Sequence, residues 1–388
     1  MANAGAVLSA VWLPDGGVYG VQCHHPVSLG DRAVPPDVWH HGPGRPGPGG
    51  RGVMIAGYLR RHAWEALGIA LTLVCLWLAV RGARLSDVLA VLAGANAGLI
   101  FVAAVITALA YGATALRWRL LFSPRHAPPL RPLLAGLLLA QLANTLLPAK
   151  LGPVVRAVYV GEVEGISKPF VLGTVLAEKV WEGLALLAVS ALAVFLVPWP
   201  DWLDGPVSVL GGASLVLFLM IWFMGRRESV LKALASRLPR IAGSAVERWS
   251  RSFLDGLDVW QLSGAGLKLA GWSVLIWAMI ASLSYVLLRA LKVQAPGVAV
   301  LLLLVALQAG ARVPSAPAHV GVFHYLIIAS LGLFGVPQSA ALGYALILHA
   351  LIFLLPAAVG ACVLLGMPRA GRARLRTELP SAEWLALR

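Results

Sequence analysis

Glu178, Lys179 and Glu182 interrupt a run that is otherwise almost entirely apolar from residue 170 to residue 197. A charge at that depth costs ~2.5–3.5 kcal/mol on insertion scales, so such groups face a cavity or each other. Glu178 and Glu182 stand four apart and share a helix face. Lys179 lies one step round, placed to pair with a neighbouring helix or a headgroup. Were the span to begin at residue 180, all but Glu182 would be interfacial. Two further stretches set cations beside helix breakers. One reads Pro148-Ala149-Lys150-Leu151-Gly152, with Arg156 four residues on; the other reads Pro317-Ala318-His319-Val320-Gly321, with His324 three residues on.

Proline removes a backbone donor and glycine permits unusual dihedrals, so Pro148, Gly152, Pro317 and Gly321 each break a helix. Inside a bilayer the freed backbone groups must face protein or water. A broken helix also presents a positive N-terminal end suited to an anion. Lys150, Arg156, Arg312 and the protonatable His319 and His324 add positive charge nearby, and together they suit a phosphate headgroup. Two interfacial loops whose cations snorkel to the surface are the plainer alternative. Asn144 can hydrogen-bond a ligand or a neighbouring helix. Arg117-Trp118-Arg119, at a span end, reads as a topology anchor. No nucleotide P-loop, Gly-x-Ser-x-Gly, His-Glu-x-x-His or aspartate-rich diphosphate motif occurs. No enzymatic activity, cofactor or metal site is expected.

These residues need elements to hold them. Hydrophobic residues make up 59% of the 388 positions and charged residues 12%, about half the usual soluble share. Apolar runs near spanning length lie at 63–80, 98–116, 170–197, 206–224, 266–288 and 340–365. The segments 132–147, 298–311 and 320–335 are shorter, as re-entrant arms often are. Basic residues cluster at 60–61, 117–131, 226–251 and 369–376, whereas Trp199-Pro200-Asp201-Trp202-Leu203-Asp204 is acidic and aromatic. The positive-inside rule puts that loop outside and both termini in the cytoplasm. A hairpin at 132–167 entering from inside and one at 297–337 entering from outside make the bias consistent. The expected fold is all-α and polytopic: about six full spans plus two opposed re-entrant helical hairpins in an inverted repeat. In transporters of that plan the site lies at the interruptions.

Residues 1–52 hold seven prolines and eleven glycines, too little apolar surface to offset chain entropy, and are expected to be disordered. Met54 offers an alternative start. The membrane domain then covers 53–368 and a basic cytoplasmic tail 369–388. Within 226–262, apolar residues recur at helical spacing among Arg and Lys, as in an interfacial amphipathic helix. The +14 net charge sits in short segments beside spans, as lipid-facing loops require, and points away from nucleic acid. Cys23, Cys75 and Cys362 have no metal or disulfide spacing; Cys75 and Cys362, inside apolar helices, read as small buried hydrophobes.

Arg117-Trp118-Arg119-Leu120-Leu121, the run from Asn144 through Gly152 to Arg156, and Val175-Leu176-Ala177-Glu178-Lys179-Val180-Trp181-Glu182 together resemble the transmembrane region of lysylphosphatidylglycerol synthases and related flippase-like proteins. Pro314 to His324, followed by Leu333-Phe334-Gly335-Val336-Pro337, is similar to the second broken element of that family. The resemblance covers roughly residues 60–366. It departs at Pro153, where the family usually has an acidic residue, at Ala318 and His319, where it has a glycine pair, and at His324, where it has Glu. His324 puts a switchable charge in place of a fixed one. The resemblance implies a domain in a bacterial-type inner membrane that moves, or helps move, an anionic or glycosylated lipid between leaflets without ATP. The alternatives are an accessory protein that presents a polyprenyl- or hopanoid-type lipid to a lipid-modifying enzyme, and a membrane-embedded transferase. The expected partners are membrane lipids with phosphate-bearing headgroups.

Overall fold

The structure, a computed structural model, describes residues 10–12, 18–21, 68–122, 126, 128–147, 150–225 (backbone alone from 220), 252, 255, 265–311 and 317–368. Residues 1–61 and 62–388 are separate units. In the first, Ala10–Trp12 and Val18–Val21 form an antiparallel pair within the segment expected to be disordered. A lone two-stranded hairpin is at best marginal in water and supplies no core of its own.

Every described element from residue 68 to 366 is helical. In order they are α1 (Gly68–Val80), α2 (Leu85–Ala93), α3 (Ala97–Leu120), α4 (Leu130–Leu146), α5 (Gly152–Glu164), α6 (Lys168–Leu196), α7 (Asp204–Gly225), α8 (Ala265–Ala290), α9 (Ala299–Gly310), α10 (Val322–Gly332) and α11 (Gln338–Gly366). Five stretches are long and apolar enough to cross a membrane, or six if α1 and α2 form one bent span. The protein is a polytopic helical membrane protein. Its outer face is apolar, with Phe195, Leu267 and Phe101 widely exposed, while Arg117, Arg156 and Glu178 are buried. That inverts the water-soluble pattern, because the surrounding solvent is hydrocarbon.

Local chemistry sets the element ends. Asn96 caps α3 by accepting from the Leu99 amide. Gly165 ends α5 in the left-handed conformation, at φ 64°. Within α11 a π-turn at Ala350–Leu354 stands just ahead of Pro356. Proline cannot donate to the carbonyl four residues back, and the wider turn absorbs the misfit. The first apolar run, 63–80, ends where its helix ends, but a second helix, α2, that the run did not indicate follows it. The helix stops at Val80, turns through Arg81–Arg84 and bends by 78° into α2. Gly82 and two arginines break the apolar run there. Cys75 is buried as expected, but Cys362 is exposed on the outer side of α11.

The packing is reciprocal. α3 packs on α8. α4 packs on the C-terminal half of α11, and α9 packs on α6; α6 packs on α7, and the N-terminal half of α11 packs on α2. Each pairing has a counterpart with the first and second halves of the chain exchanged, the pattern an inverted repeat leads one to expect. The short arms α4–α5 and α9–α10 each pack together as hairpins. α9, at 12 residues, is only about 18 Å long, short of a bilayer core. The interfacial helix expected at 226–262 lies outside the described residues except at 252 and 255.

Candidate headgroup site

The first interruption is built around one side-chain bond. Asn144, in the last turn of α4, accepts from the Gly152 amide at 2.8 Å, so it caps α5 across the break. Pro153 follows in the first turn, where its missing donor costs nothing. Lys150 sits between them at φ 51°. A Cβ at Gly152 would lie 2.5 Å from Asn144 Nδ2 and 2.8 Å from the Ala140 carbonyl. Gly152→Ala is therefore expected to cost about 1–3 kcal/mol by overpacking, read as a lower thermal midpoint in detergent.

The second interruption is more strained. Ala318 and His319 both lie at φ 57° and Gly321 at φ 84°, so the 3₁₀ turn Pro317–His319 reverses before α10 begins. Non-glycine residues in the left-handed region cost about 1–3 kcal/mol each and persist only where the surroundings hold them. His349 on α11 is one such restraint, with Nε2 2.9 Å from the Ala318 carbonyl. The two breaks also meet directly. Lys150 Nζ donates to the carbonyl of Ala311 at the C-terminal end of α9, a favourable place for a cation.

Behind the breaks lies a cavity of about 390 Å³. Asn144, Gly152 and Arg156 line it from the first interruption, and Gln308, His319 and Phe323 from the second. α6 contributes Glu178, Lys179 and Glu182, and α3 contributes Thr107, Tyr111 and Thr114.

The charges form one network. Glu178, 1% exposed, accepts from Arg156 at 2.6 Å and from Arg117 at 3.0 Å. Arg117 also reaches Glu182 at 3.4 Å and Ser273 at 3.2 Å. Lys179 closes the network on Glu182 at 2.7 Å. Trp118 lies under the Arg156 guanidinium at 3.8 Å and donates Nε1–H to Thr174 at 3.0 Å, so the cation stacks on an aromatic face. Three cations meet two carboxylates, leaving one net positive charge in the network; Arg117 stands behind the lining, and the other four groups are in the wall. Arg117 Nε and Arg156 Nε have no partner among the described residues.

The structure thus gathers Asn144, Arg156, Glu178, Lys179, Glu182 and His319 around one space. Lys150 stands at its edge, tied to Ala311. His324 is buried beside His349 outside the lining. Arg312, Pro148 and Pro314 lie outside the described residues. Glu178 lies ten residues inside α6 and is buried within the protein. Arg117 is more than a topology anchor, since α3 runs on to Leu120 and carries it inward. Glu178 and Glu182 called for a cation, but nothing in the sequence named Arg117 as the one. Trp118, Tyr111 and His349 had no separate signal.

Residues 66–360 match the family described as the lysylphosphatidylglycerol synthase TM region. The chain belongs to that family. No curated protein matches it. The lysylphosphatidylglycerol synthase TM region match spans both interruptions, α6 and nearly all of α11, so the whole cavity falls inside it. Membership of this family ties the chain to lipid-related function in a membrane.

Proposed function

We propose that this domain moves a lipid with a phosphate-bearing headgroup between leaflets without ATP hydrolysis, holding the headgroup in the cavity between the two breaks. The membrane is of the bacterial cytoplasmic type, with both termini inside. The observation that carries this reading is the convergence of both broken elements on one cavity, with Arg156 and Lys179 in its wall and a network of one net positive charge behind them. Electrostatic attraction is strong where water is scarce, so Arg156 and Lys179 would draw a phosphate in. The neutral donors Asn144 and Tyr111 would complete its shell. Apolar positions such as Ile280, Leu304 and Leu326 line the rest of the space and suit the start of the acyl chains.

The test is exchange of a fluorescent phosphatidylglycerol between leaflets of reconstituted vesicles, followed by quenching from outside. Lys150→Ala with Arg156→Gln should slow exchange about tenfold or more, the factor that follows from ~1.4 kcal/mol of lost stabilisation. Glu178 keeps Arg117 as a partner in that variant, so folding is retained. Exchange at the wild-type rate would remove the site from the mechanism.

A further inference from the structure

We infer that His324 and His349 form a proton-binding site linked to the headgroup cavity, so that one proton and one anionic lipid are bound together. This inference rests on the lipid-moving reading above and extends it to the coupling ion.

His324 on α10 and His349 on α11 are both buried, and their ring centroids lie 5.0 Å apart at 34°. A carbonyl only accepts, so His349 Nε2 carries the hydrogen that reaches Ala318. In neutral His349 the other ring nitrogen, Nδ1, therefore holds the lone pair. His324 Nδ1 has no partner among the described residues. A buried polar nitrogen left in this way is uncommon in folded proteins and points to a missing ligand. The pair can take up one proton on its free ring nitrogens. A second would set two like charges a ring's width apart, in surroundings poor in water.

The site lies next to the cavity. Phe323 and Phe353 both line that space, and their rings stand 5.3 and 4.8 Å from the His349 ring. The titratable and charged groups facing the pair are His319, whose ring lies 5.9 Å from Phe353, and Lys150 beyond it. Tyr111 faces the same cavity from α3. α9 carries no charged residue over Ala299–Gly310. α4 brings only Arg131, in its first turn. α8 brings Lys268, Tyr285 and Arg289, the first and last of these near its ends. On α2, Arg84 and Asp87 adjoin the start of α11, where the Arg84 amide donates to Ser339. That is ten residues from His349, about 15 Å along the helix. Among the described residues no carboxylate stands against the pair to hold the proton permanently; Glu178 and Glu182, in the same cavity lining, are held by Arg117, Arg156 and Lys179. An anionic headgroup entering the cavity supplies the missing negative charge. By reciprocity the proton then strengthens headgroup binding by the same factor. The output is mechanical as well, because His349 also holds the strained Ala318 carbonyl.

The experiment uses the whole chain in vesicles with fluorescent phosphatidylglycerol, an entrapped pH dye and an imposed pH gradient. The wild type is expected to carry about one proton with each lipid and to run faster down the gradient, as mutual coupling requires. His324→Gln and His349→Gln should still exchange lipid but carry no protons and ignore the gradient. The glutamine amide at 349 can still donate to Ala318, which preserves the break. Proton flux in His324→Gln equal to that of the wild type would overturn the inference. If the wild type exchanges no lipid, the lipid-moving reading fails separately. Proton uptake by the detergent-solubilised protein on adding short-chain phosphatidylglycerol then decides the proton site: uptake present in the wild type and absent in His324→Gln supports it, and equal uptake in both refutes it.

Discussion

Glu178→Gln is expected to destabilise the protein by about 3–5 kcal/mol, the range for removing one partner of a buried ion pair. The carboxylate is 1% exposed and bridges two arginines, themselves almost fully buried. Glutamine has nearly the same shape but no charge. It leaves the Arg156 guanidinium on the Trp118 ring with no anion, in a place where hydration cannot compensate. Arg117 keeps only its longer contact with Glu182 at 3.4 Å. The order of effects identifies the cause. Arg156→Gln should cost much less, since Glu178 retains Arg117, and the double variant Glu178→Gln with Arg156→Gln should recover much of the loss. Thermal unfolding of the four proteins in one detergent measures this. A double variant no better than Glu178→Gln would show that shape, rather than charge balance, governs the position.

Gly321→Ala is the other change with a large expected effect. Gly321 lies at φ 84°, ψ −69°, a tight-turn conformation that is strained for any residue with a side chain. A Cβ there would also lie 2.5 Å from the Thr72 carbonyl and 3.3 Å from the Leu76 amide. Both are backbone atoms of α1, so no side chain can swing aside. Backbone strain alone accounts for about 1–3 kcal/mol, and the contact adds to it unless α1 moves away. The expected result is a protein that inserts but melts at a markedly lower temperature, with α1 newly open to protease. Normal melting and protection would mean that the second break does not seat on α1.

Much of the architecture was legible because hydrocarbon leaves few options. Apolar length located the long helices, and Pro148, Gly152, Pro317 and Gly321 marked the interruptions that the short arms flank. The share of Glu178 in a charge network was legible for the same reason, since an unpaired carboxylate at that depth is untenable. Arg117 was not, because an arginine near a span end serves equally well as an interfacial anchor; only the register of α3 against α6 and α8 distinguishes the two. The bend after Val80 depends on α11, where Gln338 reaches back to the carbonyls of Leu78 and Ala79. No local pattern reports so distant a contact. His349 was hidden in the same way. It reads as one polar residue in an apolar run until folding sets it beside His324 and the Ala318 carbonyl.

The central claim is that the cavity between the breaks selects a phosphate-bearing lipid. Photo-crosslinking from within the wall tests it most directly. A benzophenone side chain at Tyr111, which lines the cavity, is compared in native membranes with the same group at Phe195, which is 86% exposed on the outer face. Adducts at 111 should be enriched in anionic phospholipid over those at 195, and Arg156→Gln should abolish the enrichment. Adducts of the same composition at both positions, or none at 111, would contradict it.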